Sequence, residues 1–447
     1  MSYQLSAPES RRGRVVVGAS FVTMALLYGI WYSYSVFLVA LLREFGWSRG
    51  LLAGAFSLFA LIHGAMGPLF AGLADRLRPQ RIIMGGAFVV GAGLLLAAET
   101  TAWWHLYLAF GVVAAVGIGF CGYVPLIVLI RGWFPGRIGT AAGIATAGIG
   151  VGVFAVVPLC QLMIDRFGWR WALRILAATV VTWMVPAILG LLREAPQAAA
   201  PSPPVGSAQA TVRGAAPFWT LAAALRSWRF WGLGAALFAS NTAITILMIH
   251  QVAYLVDHGV VAMVAATIAG MVGLVSVPGK MGWGYLLDRV PRETVYTISS
   301  ACFLASLGLL VMAGDYPASP LPYLYAVFLG VGYAVTAPLT PAVCSDLFAG
   351  PGFPAIFGAV HVSLGVGTAM GAWAGGAIFD AVESYAVALW VAAGLTLLSV
   401  ALLWAVAPRR PNPPPEDLGL MKSVAPWRPV LRWRLGGKAV PRNKAST

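Results

Sequence analysis

The sequence predicts an all-α polytopic membrane protein, with twelve transmembrane helices arranged as two six-helix pseudo-repeats. Three observations predict it. Of the 447 residues, 60% are hydrophobic and only 10% charged, and the mean hydropathy is +0.83, a balance that water-soluble folds do not show. Apolar runs of about 18 to 25 residues recur, each long enough at ~1.5 Å per residue to cross a hydrocarbon core of ~30 Å. Landmarks in the first half return in the second at a nearly constant offset. The period-two alternation of a membrane barrel is missing, and helices satisfy their own backbone groups in lipid.

The twelve runs lie near residues 15–40, 50–73, 82–98, 105–129, 139–163, 170–192, 228–255, 261–286, 293–313, 321–347, 354–379 and 385–407. The basic start Arg11, Arg12, Arg14 leads into a run of full length without a small-residue cleavage site, so no cleavable signal peptide is expected. Between the sixth and seventh runs, "REAPQAAAPSPPVGSAQATVRGAAP" reads as a flexible cytoplasmic linker. Residues 1–192 thus form one half, 193–227 the linker, 228–407 the second half, and 408–447 a basic, Pro-rich tail.

Basic residues set the orientation. With a cytoplasmic amino terminus, Arg43, Arg49, Arg166, Arg170 and Arg174 fall near the outer face, Lys280 falls inside a run, and the other 23 of 29 Lys and Arg are cytoplasmic. Both termini are therefore expected inside, in a cell membrane. The net charge of +14 is then a topology signal rather than a nucleic-acid footprint, for which no exposed basic domain exists. The tail carries nine basic residues against two acidic ones, with Trp427 and Trp433 among them. It reads as a solvated end, with contact to anionic lipid headgroups as the alternative. Cys121, Cys160, Cys302 and Cys344 are scattered singly, which fits neither disulfides nor a metal site. No cofactor is implied.

"REFG" at 43–46 answers "VDHG" at 256–259, and "AGLADR" at 71–76 answers "GYLLDR" at 284–289, both at an offset of 213. "GVG" at 150–152 and Asp165 answer "GVG" at 365–367 and Asp380 at an offset of 215. Parallel six-helix repeats of this kind place a substrate near mid-membrane between the halves.

The loop "AGLADRLRPQR", with Asp75, Arg76 and Arg81, resembles the signature loop of the major facilitator superfamily, although Ala71 and Arg78 stand where its two glycines are usual. Its counterpart "GYLLDRVPR" keeps Gly284, Asp288, Arg289 and Arg292. "WFPGRIGTAAGIATAGIGVG" (133–152) is similar to the fifth-helix motif of monocarboxylate transporters, matching at Phe134, Arg137, Ala141, Gly143, Ala145, Ala147, Gly148 and Gly152. The acidic-glycine-tryptophan motif before the first span is absent, so the resemblance is to bacterial-type relatives, including oxalate–formate exchangers. It implies the major facilitator fold, a monomeric carrier, and a cytoplasmic gate at Asp75, Arg76, Arg81, Arg137, Asp288 and Arg289.

Lys280 is the anomaly. It lies eight residues, ~12 Å, before Asp288. Side chains lean toward a helix's amino terminus, which for this run points its ammonium toward the bilayer centre. Placing it there costs roughly 2.5–3.5 kcal/mol, and no mid-membrane acid pairs with it; Asp257 and Asp346 are near span ends. An unpaired cation facing a watery cavity suits an anion carrier, whose substrate completes the pair. The alternative is a lipid-headgroup or structural contact. The resemblance agrees: relatives carry a carboxylate-binding arginine in this eighth helix. Animal monocarboxylate transporters place an aspartate one turn earlier, where this chain has Ser276.

His63, His250 and His361 also fall in spans. His250 reads as a hydrogen-bonded packing residue. His361 falls where oxalate exchangers carry a second cation, and His63 occupies the repeat position of Ser276. Tyr28, Tyr32, Tyr123 and Tyr333 lie in the first, fourth and tenth helices, which line the cavity in this superfamily, and phenols donate to carboxylates; packing or interface anchoring is the plainer reading of each.

The sequence therefore reads as a secondary transporter of small organic anions, monocarboxylates foremost, by proton symport or anion exchange. An exporter of drug-like or neutral solutes is the nearest rival, and a membrane sensor the next. No nucleotide-binding loop ending in GK[ST] is present, so ATP does not drive it. Neither His-Glu-x-x-His nor a Ser/His/Asp set supports an enzyme.

Overall fold

The computed structural model describes residues 7–74, 77–134, 138–194, 219–287, 289–348 and 352–407. Among these residues are twelve spans long and apolar enough to cross a membrane, and no strands. Span 1 comprises Ala7–Tyr32 and Tyr34–Phe45, span 2 is Arg49–Ala74 and span 3 Pro79–Ala98. Span 4 runs through Trp103–Leu106, Tyr107–Ala114, Ala115–Cys121 and Tyr123–Trp133. Span 5 is Ile138–Phe167, and span 6 is Trp169–Pro186 continued by Ala187–Leu191. After a short helix, Leu221–Leu225, span 7 is Trp228–Asp257, span 8 Ala262–Leu287 and span 9 Arg292–Asp315. Span 10 is Leu321–Ala334 with Thr336–Leu347, span 11 Phe353–Val382 and span 12 Ala386–Val406. The face where span 6 ends and span 7 begins is called here the linker face. Most of the linker and all of the tail lie outside the described residues.

The repeat landmarks have structural reasons. "REFG" and "VDHG" end in Gly46 (φ 64°) and Gly259 (φ 86°), left-handed turns that reverse the chain after spans 1 and 7. The "GVG" pair marks close helix contacts. A Cβ on Gly152 would stand 1.9 Å from the Ala25 carbonyl oxygen of span 1, and one on Gly367 would stand 2.7 Å from the Phe238 oxygen of span 7. Span 5 thus packs on span 1 as span 11 packs on span 7, the small-residue contact that lipid-embedded helices rely on.

The halves meet along two seams, span 2 with span 11 and span 5 with span 8. In the first, Gly50 faces Ala377 and Asp380, the Ser57 hydroxyl donates to the Ala369 carbonyl at 2.6 Å, and a Cβ on Gly64 would stand 3.9 Å from the Gly365 Cα. In the second, Gly270 meets Phe154, Gly273 meets Val153, and Gly150 meets Gly273 and Val277. Both run from the face opposite the linker to about mid-span. Beyond, toward the linker face, a Cβ added at Gly143 or Gly358, each seven residues along the same stripe from Gly150 or Gly365, would meet no atom of the described residues within 4 Å. Among the described residues, the inter-half contacts of these two seams lie toward one face and give out toward the other.

Span 4 is interrupted at Gly122 (φ −89°, ψ −135°), next to Tyr123, and Pro125 follows the break and supplies no backbone N–H. Spans 1 and 10 keep helical angles at Ser33 (φ −66°, ψ −12°) and Val335 (φ −65°, ψ −29°), and the Ser33 hydroxyl donates back to the Gly29 carbonyl at 2.7 Å.

One prediction tests the packing. Gly152→Ala is expected to destabilise the protein by about 1–3 kcal/mol, because the clash is with backbone, whereas Gly143→Ala, which meets open space, leaves thermal unfolding in detergent unchanged. Equal midpoints for the two variants would contradict the seam.

Candidate functional site

Gly273, Val277 and Lys280 stand at i, i+4 and i+7 of span 8, one stripe of a helix. The first two press on span 5, so Lys280 falls on the same inter-half face, one turn nearer the linker, where the seam has opened. Its Nζ lies 5.7 Å from the ring centre of Tyr333, a cation–π distance. That neighbour is fixed by close packing of span 8 on span 10. Gly330 accommodates Val272 and Val275, and the Trp283 indole donates to the Val331 carbonyl at 2.8 Å. Among the described residues, no carboxylate forms an ion pair with Lys280.

The tyrosines gather around this point. Tyr333 of span 10 is the phenol beside Lys280, and in span 1 Tyr28 and Tyr32 flank Trp31, with ring centres 5.7 and 6.4 Å from it. Lys280 and Tyr333 belong to one half, and Tyr28, Tyr32 and Tyr123, in spans 1 and 4, to the other. Tyr28 is nearly buried, while Tyr123 is 43% exposed. Ser276 is wholly buried and its hydroxyl donates to the Gly273 carbonyl at 2.7 Å, within its own helix.

His63 sits among aromatics: its ring is 4.7 Å from Trp31 and 6.4 Å from Tyr28, edge-on to both, and stacks on Phe59 at 6.3 Å. It stands one residue from Gly64, where the span 2 and span 11 seam ends. His361 lies one turn from Gly365 toward the linker face and is exposed, with its ring 4.5 Å from Phe357. Lys280 and His361 thus hold matching places, each just past the last contact of an inter-half seam. Among the described residues no contact joins His361 to these tyrosines.

Of the expected gate residues, Asp75, Arg76, Arg137 and Asp288 lie outside the described residues. Arg289 stacks on Tyr285 at 3.5 Å and donates to its carbonyl, a contact within its own half. Arg292 pairs with Asp346 at 3.1 Å, joining spans 9 and 10. Arg81 lines a groove against the end of span 6.

Sequence reasoning missed a polar lock at the closed face. Asp380, near the end of span 11, accepts the Arg49 and Gly50 backbone N–H groups at 2.8 and 2.7 Å. It caps span 2 with a charge that complements the helix dipole. The Arg49 guanidinium pairs with Asp257 of span 7 at 2.7 Å, donates to the Tyr385 hydroxyl at 2.7 Å and lies 3.7 Å above the Phe379 ring. Tyr385 also contacts His250 Nδ1 at 3.2 Å, and His250 Nε2 meets the Ala372 carbonyl at 2.8 Å. Every polar contact of Arg49 here reaches from the first half into the second. Asp165, the repeat counterpart of Asp380, instead takes a bond from Gln161 in its own helix at 2.7 Å. The available signal was the Asp165/Asp380 repeat, but which of the two would reach across depends on what starts the facing helix.

Twelve spans in two bundles that touch at one face and part at the other, around a polar centre, define a membrane transporter. A family model described as Major Facilitator Superfamily matches residues 20–353 and, in a second match, 283–440; the chain belongs to that superfamily. It is 27% identical over 427 residues to monocarboxylate transporter 13 of Bos taurus, covering 94% of this chain and 96% of the relative. It is 26% identical over 409 residues to monocarboxylate transporter 4 of Rattus norvegicus, covering 89% and 83%. Two solved structures share the fold. A bacterial homologue of the human lysosomal transporter Spinster, in an inward-facing and unoccupied conformation, has TM-score 0.63 and 17% identity, covering 90% of this chain and 96% of that one. A D-xylose–proton symporter has TM-score 0.68 and 12% identity, covering 88% and 98%. Family and relatives are transporters rather than enzymes.

The lock gives a prediction. Asp380→Ala removes two charge-assisted bonds at a solvent-facing rim, a loss of about 1–2 kcal/mol for the sealed state, hence about five- to thirtyfold more of the form open at that face. The check is labelling of a cysteine at position 57 by a maleimide applied from that side; labelling no faster than in the parent would contradict it.

Proposed function

We propose that the chain is a secondary transporter of small organic anions, monocarboxylates foremost, working by alternating access between its two six-helix halves. The observation that carries this is Lys280: a cation beside Tyr333, at the place where the inter-half seam opens, with no ion-pair partner among the described residues. A carboxylate entering from the parted face completes that pair, and the hydroxyls of Tyr333, Tyr32 and Tyr28 are donors for its oxygens. Lysine offers a point charge rather than a fork, which tolerates acids of different shape. The names of the relatives support the same substrate class.

The positive charge around the linker face supports cytoplasmic termini. The parted face is then the cytoplasmic one, and the Arg49 lock seals the outside. On this reading the protein resides in the cell membrane, the inner membrane of a bacterium, and acts as a monomer. Asp75, Arg76, Arg81, Arg137, Asp288 and Arg289 belong to the inner gate, which assembles when the cytoplasmic ends approach.

The residues support two modes of coupling. Anion exchange needs no titrating group, since Lys280 alone resets with the returning anion. In proton symport, with Ser276 in place of an acid, the proton travels on His361, with His63 as second choice, or on the substrate carboxylate itself.

Uptake of labelled acids into proteoliposomes tests the reading. Lys280→Met is expected to insert normally, since it removes a costly charge, and to lose transport at least about a hundredfold, while Lys280→Arg keeps part of it. Transport by Lys280→Met at the parent rate would overturn the assignment. His361→Gln is expected to flatten the pH dependence between about pH 5.5 and 8, or to shift preference from dicarboxylate to monocarboxylate. Unchanged profiles for lactate-like and oxalate-like acids would remove His361 from the site.

A further inference from the structure

A groove of about 640 Å³ opens at the linker face between the start of span 3 and the end of span 6. We propose that it binds the headgroup of an anionic phospholipid. Arg78, Arg81 and Arg193 line it, with Glu194 as the one acid, so its lining carries a net charge of +2. Among the described residues none of these three arginines has an ion-pair partner. The Arg193 guanidinium donates within its own segment, to the Leu189 carbonyl at 3.3 Å, while the Arg193 carbonyl accepts from the Trp133 indole of span 4 at 2.8 Å.

The remaining wall is apolar. Met84, Ile188 and Leu189 belong to spans 3 and 6, and Leu189 is 65% exposed on a surface that composition places against acyl chains. A basic rim directly above a lipid-facing wall matches an amphiphile with an anionic end, whereas a free solute has no use for the wall. The groove also sits at the amino terminus of span 3, where Pro79 occupies the first helical turn and the helix dipole favours a phosphate. Glu194 adds the second independent feature. Its Oε1 is buried with no hydrogen-bond partner among the described residues, an acceptor that a headgroup hydroxyl fills while the phosphate engages the guanidinium groups.

The two walls are tied by one bond, from the Gln80 side-chain amide to the Leu192 carbonyl at 2.7 Å. A headgroup bridging Arg78 and Arg193 would clamp the loop after span 2 to the end of span 6 and the first residues of the linker. Bound lipid would therefore stabilise this half of the bundle.

The test uses the full-length protein in detergent with added phosphatidylglycerol, phosphatidylcholine, or inorganic phosphate. Phosphatidylglycerol is expected to remain attached in native mass spectrometry and to raise the unfolding midpoint, and the other two are expected to do neither. Arg78→Gln with Arg193→Gln is expected to weaken retention by about fivefold per arginine, with Arg78→Lys and Arg193→Lys retaining most of it. Should the Gln pair fail to insert, Glu194→Gln serves: it removes an acid and is expected to hold phosphatidylglycerol without loss of the phosphate contact. Equal stabilisation by inorganic phosphate would overturn the lipid assignment in favour of a soluble anion. Unaltered retention in the Gln pair, or release from Glu194→Gln, would overturn the site.

Discussion

The rest of this structure depends on how closely two helix backbones approach at the inter-half seams, and on where that approach stops. Lipid supplies no hydrophobic force between helices, so contact there rests on dispersion and hydrogen bonds, which need near-touching backbones. Gly150, Gly270 and Gly273 meet that need between spans 5 and 8, and Gly50, Ser57 and Gly64 between spans 2 and 11. Both sets give out at about mid-span. The same few residues therefore fix which face is sealed, how deep the opening reaches, and which side chains meet its end.

Those side chains are Lys280 and His361, with His63 one residue off the line. A charge of this kind in a fully packed bundle would cost several kcal/mol, and the cost falls where the halves part and water enters. Position on the seam thus accounts for a lysine in an apolar helix without a carboxylate beside it. The interruption of span 4 at Gly122 adjoins Tyr123, and broken helices are tolerated in membranes only where their loose backbone groups meet protein or water.

The fold was largely legible because its determinants are local. Twelve apolar runs, the Gly46 and Gly259 turns, and the repeated "GVG" contacts follow from hydropathy and from residue size, and all twelve spans overlap their observed helices. Lys280 was legible as an anomaly of composition, and its tyrosine neighbours through the resemblance of spans 1, 4 and 10 to cavity-lining helices. The environment of His63, with Trp31 and Phe59 around it, was not, because aromatic contacts between spans 1 and 2 depend on helix rotation rather than on spacing. Neither was the Arg49 lock. Arg49 reads in sequence as one more basic residue near a span end, and only the arrangement of spans 2, 7, 11 and 12 brings Asp257, Asp380, Phe379 and Tyr385 around it.

The lock also breaks the internal symmetry in a way that bears on motion. Asp380 and Asp165 end corresponding helices, yet only Asp380 finds a partner helix beginning with a cation, at Arg49; the matching start of span 8 is the apolar Val261–Ala262. Asp165 is left to its own Gln161. Among the described residues one seam is held by apolar contacts, which slide and re-form with little directional penalty, and the other adds aligned charge-assisted bonds to its close packing, which are made or broken as a set. Under the proposed alternating access, the discrete bonds of the span 2 and span 11 seam define the sealed state, and Lys280 and His361, just past the ends of the two seams, stand where movement at either would be felt.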